Sequence, residues 1–164
     1  MTHPSITSEF STCDLVDSRP ELQCCETPLR SYGGRSRFTG TVTSVSCLND
    51  NLVVHNLLEE PGHGKVMIID GHGSMAVALM GDRVASIAAR HGWAGLIING
   101  AVRDTLALAR VDLGILALGS IPRRAGKTGV AALDVPVAFG GVTFQPGRTV
   151  WCDSDGVVVE PPLG

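Results

Sequence analysis

The rhythm of apolar and polar positions changes several times along this chain. Phe38 to Cys47 roughly alternates, with Val42, Val45 and Cys47 among Thr and Ser, which predicts a strand kinked at Gly40. From Asn51 the spacing turns helical. Leu52, Val53, Leu57 and Leu58 supply an apolar face, Asn51 serves as cap, the helix runs through Glu60, and Pro61-Gly62 ends it. Lys65 to Asp70 is a continuous apolar run, the pattern of a central strand buried on both faces. Helical spacing returns over Arg83 to Ala89, where Val84, Ile87 and Ala88 share a face and Gly92 is a stop signal. Gly95 to Asn99 then reads as a short buried strand ended by Gly100, followed by a short helix over Leu106–Arg110 and a strand over Leu113–Leu118.

Beyond Pro122 the texture becomes β-rich. Val135–Phe139, Val142–Phe144, Thr149–Cys152 and Val157–Glu160 are separated by Gly140-Gly141, Pro146-Gly147 and Asp155-Gly156, which predicts antiparallel hairpins. Upstream, Thr7 to Asp17 carries cap-like Ser and Thr ahead of Leu15 and Val16, consistent with a short helix, and Ser31 to Arg35 is a turn. The expected class is α/β: a mixed domain with a central βαβ unit and a β-rich C-terminal part.

Composition narrows the function classes. A length of 164 residues suits one domain over 1–164, and 44% hydrophobic with 18% charged residues suits a compact core. Net charge is −3 without a sustained basic run, so no nucleic-acid footprint is visible. The longest apolar stretches are far shorter than the about 20 residues that span a bilayer, and Met1 to Phe10 has no export signal. A cytoplasmic location is expected. Five cysteines at irregular spacing include no C-x-x-C pair, so reduced, idle thiols are expected, with adjacent Cys24-Cys25 the alternative redox pair.

Candidate chemistry concentrates in Gly81-Asp82 and, after twenty intervening residues, Arg103-Asp104. A helix start at Gly81–Val84 presents unpaired amides and a positive dipole end to a carboxylate or phosphate. Arg103 offers a planar fork of donors for carboxylate or enolate oxygens, and Asp104 a hard oxygen ligand for a divalent cation. In a right-handed βαβ unit these positions share one sheet edge. The bland alternative for Arg103-Asp104 is a solvated pair.

Other motifs are weaker. Asp70-Gly71-His72-Gly73-Ser74-Met75-Ala76 follows a strand and imitates G-x-G-x-x-A and the first loop of methyltransferases, but also fits a glycine-lined floor of another site. The histidines show no metal-ligand spacing; His72, in that loop, is the most suggestive, while His55 is an ordinary surface or loop residue. No serine sits in a G-x-S-x-G elbow. Arg123-Arg124 and Lys127 read as a solvated or subunit-contact cluster.

Several blocks, in order, resemble the RraA-like family, which includes the regulator of ribonuclease E activity and class II 4-hydroxy-4-methyl-2-oxoglutarate aldolases. They are Thr12 to Asp17, Tyr32-Gly33-Gly34-Arg35-Ser36-Arg37-Phe38-Thr39-Gly40, Asp70 to Ser74, Gly100 to Asp104, and Phe139 to Phe144. The resemblance implies a swivelling-type β/β/α fold, a homotrimer and active sites at subunit clefts. The aldolase branch carries D-x20-R-D, matched by Asp82, Arg103 and Asp104. By that resemblance, amides of Gly81, Asp82, Arg83 and Val84 hold a pyruvate carboxylate, Arg103 binds the keto or enolate oxygen, and Asp104 anchors Mg²⁺ or Mn²⁺. The implied function is a lyase that cleaves the hydroxy-methyl keto acid to two pyruvates and decarboxylates oxaloacetate through the same enolate. The rivals are a protein-binding inhibitor of ribonuclease E and, on the glycine loop alone, a menaquinone methyltransferase.

Overall fold

The computed structural model describes residues 9–164. In chain order its elements are α1 (Thr12–Ser18), β1 (Gln23–Cys24), β2 (Arg30–Ser31), β3 (Phe38–Ser46), α2 (Leu52–Leu58), β4 (Lys65–Asp70), β5 (Ala78–Met80) and α3 (Asp82–Arg90). They continue with β6 (Gly95–Val102), α4 (Thr105–Leu108), β7 (Gly114–Ser120), β8 (Ala132–Leu133), β9 (Val137–Phe139), β10 (Val142–Phe144), β11 (Thr149–Asp153) and β12 (Gly156–Val159).

One mixed sheet runs in the order β1-β12-β11-β3-β4-β6-β7-β2, with β5 added on β6 and β8 on β3. Its centre, β3-β4-β6-β7, is parallel; β11 joins β3 antiparallel. The fold is the mixed α/β class expected, with βαβ in the middle and hairpins toward the C-terminus.

Both faces of the central strands are covered, which explains their unbroken apolar runs. Met67, Ile69, Leu96 and Ile98 pack with Val54, Leu58, Val84 and Ala88 in one core. Val66, Ile68 and Ile97 point the other way, onto Phe144, Val150 and Val159. Strand period two thus divides one run between two cores. The glycines of the Tyr32–Gly40 block serve close packing. A Cβ on Gly33 would lie 2.0 Å from the Leu113 carbonyl oxygen, and one on Gly40 2.7 Å from that of Gly64. Phe38 of the same block lies against Gly95 and Gly114, where an added Cβ would stand 2.2 and 2.1 Å from its ring. Gly140 and Gly141 both have positive φ, as a two-residue hairpin turn between β9 and β10 requires.

Several boundaries differ from the sequence expectation. Helix α2 stops at Leu58 rather than Glu60, and Asn51 occupies the cap position without a side-chain capping bond. Asp50 accepts the Leu52 N–H instead, at 3.3 Å. Strand β6 does not end at Gly100 but continues to Val102, with a register irregularity between Ile98 and Ala101. Strand β3 passes through Gly40 without interruption. The short helix expected over Leu106–Arg110 is α4, one residue earlier and shorter. Ser11 caps α1 by accepting the Asp14 N–H; Thr7 and Ser8 lie outside the described residues. Strand β5, only three residues long and wholly buried, carries no periodic signal. No helix among the described residues is long and apolar enough to cross a membrane.

Candidate active site

Strand β5 and the end of β6 run parallel, pairing Ala78 with Ala101 and Met80 with Val102. The next residues of both strands therefore emerge side by side. Gly81 turns into α3, while Arg103 and Asp104 lead into α4, and the Arg103 N–H donates to the Met80 carbonyl at 2.9 Å. The predicted convergence is realised.

Asp104 sits in the left-handed region at φ 58°, uncommon for a residue with a side chain. That backbone is associated with a definite carboxylate position: its Oδ2 accepts the Asp82 N–H at 3.2 Å and lies 3.8 Å from Arg103 Nε. Gly81 makes room for it, since a Cβ there would stand 2.6 Å from the same oxygen. The Asp82 amide is thus engaged by Asp104. Arg83 and Val84, also in the first turn, have no intrahelical acceptor, and glycine at the cap supplies none from a side chain. Arg103 Nη1 donates to the Pro122 carbonyl at 3.2 Å, which fixes the guanidinium across the loop.

These residues line a cavity of about 210 Å³, and its remaining walls differ from the sequence expectation. Asn51, His55, Arg124 and Lys127 face the same space. Asn51 caps α2 through its backbone alone and turns its side chain to the cavity, His55 lies on α2 rather than in a loop, and Lys127, though exposed, has protein partners. Lys127 Nζ donates to Asn51 Oδ1 at 2.6 Å and lies 3.1 and 3.2 Å from the two ring nitrogens of His55. Asn51 Nδ2 donates to the Leu79 carbonyl at 3.0 Å and contacts His55 Nε2 at 3.1 Å. The available signal was the i, i+4 spacing of Asn51 and His55, which puts both on one helix face; Lys127, 72 residues after His55, had none.

Asp50 positions the lysine-bearing loop. Its carboxylate accepts from the backbone N–H and hydroxyl of Thr128 and from the Gly129 N–H. Burial pushes the Asp50 carboxyl up, but these bonds and the one from Leu52 outweigh it and hold the group below its ordinary value. Lys127 is pushed down, first by burial and then by Arg124 and Arg103, with Asp50 opposing. His55 is pushed down by burial, Lys127 and Arg83, against Glu59. Cations outnumber carboxylates around the cavity, which suits an anion.

The other candidate motifs lie elsewhere. The Gly71–Ser74 loop leads into β5 rather than a helix, and its amides are internally bonded: His72 to Asp70 Oδ1, Gly73 to the Asn99 carbonyl, Ser74 to that of Gly71. A pyrophosphate would find no free cradle there. Ser46 Oγ meets His72 Nε2 at 2.9 Å, but His72 Nδ1 is 4.0 Å from Asp70, too far for a hydrogen bond that would orient the ring. A larger cavity of about 360 Å³ lies by Cys25, Ser36 and Asp153, yet Asp153 is occupied by the Thr12 N–H and hydroxyl. The five cysteines are free thiols, as expected; burial pushes Cys47 up to about 11 and Cys152 well above the ordinary value.

Comparison with known proteins agrees with this architecture. The RraA-like family model, described as "Aldolase/RraA", matches residues 12–159. A protein of Pseudomonas syringae pv. tomato named "Putative 4-hydroxy-4-methyl-2-oxoglutarate aldolase" is 48% identical over 153 residues, which cover 93% of this chain and 94% of that protein. The structure of the RNA-processing inhibitor RraA from Thermus thermophilis superposes with a TM-score of 0.90 at 42% identity, covering 95% of this chain and 96% of that one. A Geobacillus kaustophilus structure named S-adenosylmethionine:2-dimethylmenaquinone methyltransferase gives a TM-score of 0.90 at 44% identity, covering 94% and 97%. Coverage this complete, on a sheet with this topology, means that the chain belongs to the RraA-like family.

Proposed function

We propose that this chain is a divalent-metal-dependent lyase for pyruvate-derived keto acids, cleaving 4-hydroxy-4-methyl-2-oxoglutarate to two pyruvates and decarboxylating oxaloacetate through the same enolate. The observation that carries the reading is the Asp104 carboxylate, seated against the Asp82 amide in space left by Gly81 and flanked by Arg103. The name of the Pseudomonas relative supports the aldolase chemistry.

The residues fit a hard cation completed by its substrate. Among the described residues no three His, Cys, Asp or Glu side chains gather into a cage. Asp104 would be the protein ligand, and a single carboxylate supplemented by water and chelating substrate oxygens is a habit of Mg²⁺ that Mn²⁺ shares. When bound, such an ion supplies Lewis-acid stabilisation of the developing enolate charge.

The chain's own groups do the rest. Amides at the start of α3, in the Gly81, Asp82, Arg83 and Val84 turn, receive the substrate carboxylate, aided by the helix dipole. They are chiefly those of Arg83 and Val84, because Asp104 already occupies the Asp82 N–H. Arg103 directs its fork at the keto oxygen, where negative charge accumulates as the carbon–carbon bond breaks. We read residues 1–164 as one such domain, cytoplasmic and homotrimeric; exposed Leu48, Val130 and Leu133, around β3 and β8, support self-association.

A second reading, inhibition of ribonuclease E by protein binding, is favoured by the name of the Thermus relative, and fold alone does not choose between them. Pyruvate release from both keto acids, using metal-stripped protein with and without Mg²⁺, decides. Turnover that requires metal and is lost in Asp104→Ala supports the enzyme, and Arg103→Lys should lower kcat more than it raises KM. Ribonuclease binding with no keto-acid turnover under any metal reverses the ranking.

A further inference from the structure

The cavity contains a proton-carrying group that the enolate chemistry leaves unassigned. Lys127 is one of only two lysines in the chain, the other being Lys65. Its direct partners, Asn51 Oδ1 and the His55 ring, carry no negative charge. Asn51 cannot rotate freely, because Nδ2 is committed to the Leu79 carbonyl. Asn51 Nδ2 also contacts His55 Nε2 at 3.1 Å, which ties the ring to the same frame. Asp50 holds the loop on which Lys127 sits. The ammonium is thus aimed by a rigid neutral frame, not neutralised by a carboxylate.

We propose that Lys127, held by Asn51 and His55 on the wall of the cavity that Gly81–Val84 and Arg103 also line, is the proton donor to the methylene carbon of the pyruvate enolate. The proposal rests on the lyase reading above. In cleavage of the hydroxy keto acid the C3–C4 electron pair becomes the enolate and the 4-hydroxyl becomes a carbonyl. The Lys127 ammonium then gives a proton to C3, restoring the C2 keto group and forming a methyl, and solvent, which took up the hydroxyl proton during cleavage, reprotonates the exposed amine. In decarboxylation the carbon–carbon electron pair stays behind as the enolate while CO₂ departs, and water returns the proton to the amine.

The electrostatic surroundings favour this role over that of an inert anchor. Partial burial, then Arg124 and Arg103, make the ammonium more acidic than a free lysine, while Asp50 opposes the shift. His55, pushed down by burial, Lys127 and Arg83 against Glu59, stays a neutral neighbour. Neighbouring cations are a recognised way to make a lysine ammonium a better acid.

The rival role is to anchor the second carboxylate of a dicarboxylic substrate, and pyruvate separates the two because it has only one. The test follows exchange of pyruvate methyl protons in D₂O by NMR, with Mg²⁺-loaded full-length protein, in wild type, Lys127→Gln and Lys127→Ala. Lys127→Gln should slow exchange by about 100-fold or more. The pyruvate concentration that half-saturates the thermal shift should stay within about twofold, and the basic limb of the wild-type pH profile should vanish. Added ethylamine should restore part of the exchange in Lys127→Ala. Exchange within threefold of wild type, with a KM increase confined to dicarboxylates, overturns the donor role and makes Lys127 an anchor. A wild-type protein that binds pyruvate but neither exchanges nor cleaves under any metal overturns the lyase reading itself, and the donor role with it.

Discussion

Replacing Gly81 with alanine isolates the geometry of the candidate site from the stability of the fold. Gly81 has φ −130° and ψ −175°, extended backbone that alanine adopts without strain. The added Cβ would lie 2.6 Å from Asp104 Oδ2 and 3.5 Å from Arg103 Cγ. Ordinary contact begins near 3.4 Å, so the carboxylate oxygen must retreat by about 0.8 Å while Arg103 is scarcely touched. That movement breaks the 3.2 Å bond from the Asp82 N–H and carries the proposed cation ligand out of register with the helix amides.

A misplacement of about 1 Å at reacting groups costs up to about 100-fold in rate, so kcat/KM should fall roughly 10- to 100-fold, or about 1.4 to 2.7 kcal/mol in barrier. Stability should change by no more than about 1 kcal/mol, the scale of a cap substitution. Steady-state pyruvate release across a Mg²⁺ titration, beside a urea unfolding curve, measures both. Activity within twofold of wild type at unchanged Mg²⁺ half-saturation refutes the placement of Asp104. A destabilisation of several kcal/mol with proportionate loss of folded protein refutes it differently, because Gly81 would then be structural.

Asp50→Ala should destabilise the chain by about 2 to 4 kcal/mol at pH 7, since the Leu52, Thr128 and Gly129 amides lose a charged acceptor. The folded carboxyl is held below its unfolded value, so its stabilisation is complete above about pH 4 and lost as pH falls through the lowered folded value. The gap between the urea curves of wild type and variant should therefore narrow as pH falls below the ordinary carboxylate range, and a gap that does not narrow at all contradicts the assignment. Gly114→Ala, whose Cβ would stand 2.1 Å from the Phe38 ring, should cost about 1 to 3 kcal/mol without altering KM; calorimetry and kinetics check the two halves. Exposed Cys13 and Cys24 should be alkylated in the native protein, while buried Cys47 and Cys152 react only on unfolding, as peptide mass mapping would reveal.

The sequence made the central fold readable because its strongest signals are local. Val66 to Ile69 and Leu96 to Ile98 are buried on both faces and therefore uninterrupted, and the hairpins announce themselves through Gly140-Gly141 and Asp155-Gly156. The missed elements have no period to detect. Strand β5 is three residues, and β1, β2 and β8 are two residues each, defined by partners distant in the chain. Half of the candidate site was visible for a related reason: Gly81 and Arg103 close the two strands of one βαβ unit, so topology alone joins them. Asn51, His55 and Lys127 come from elements whose meeting depends on tertiary packing. Asn51 stands at the cap position its pattern predicts, but the neighbouring Asp50 supplies the side-chain bond and leaves the Asn51 amide to face the cavity.

That division has a consequence for how one fold serves relatives named as an aldolase, an RNA-processing inhibitor and a methyltransferase. The β5-α3-β6 edge provides amides, a dipole and a place for an arginine through backbone geometry, so it persists wherever the topology does. Asp104 and Lys127 are different, because each is a single side chain on a loop that the sheet does not determine. Asp104 depends on the missing Cβ of Gly81 and Lys127 on the carboxylate of Asp50. Under the proposed function, catalytic capacity would therefore be separable from folding by one or two substitutions outside the apolar core. A protein-binding role on the outer surface could coexist with an intact cavity or outlast its loss. For this chain both supporting contacts are in place, and keto-acid chemistry is the reading that gives each of them a use.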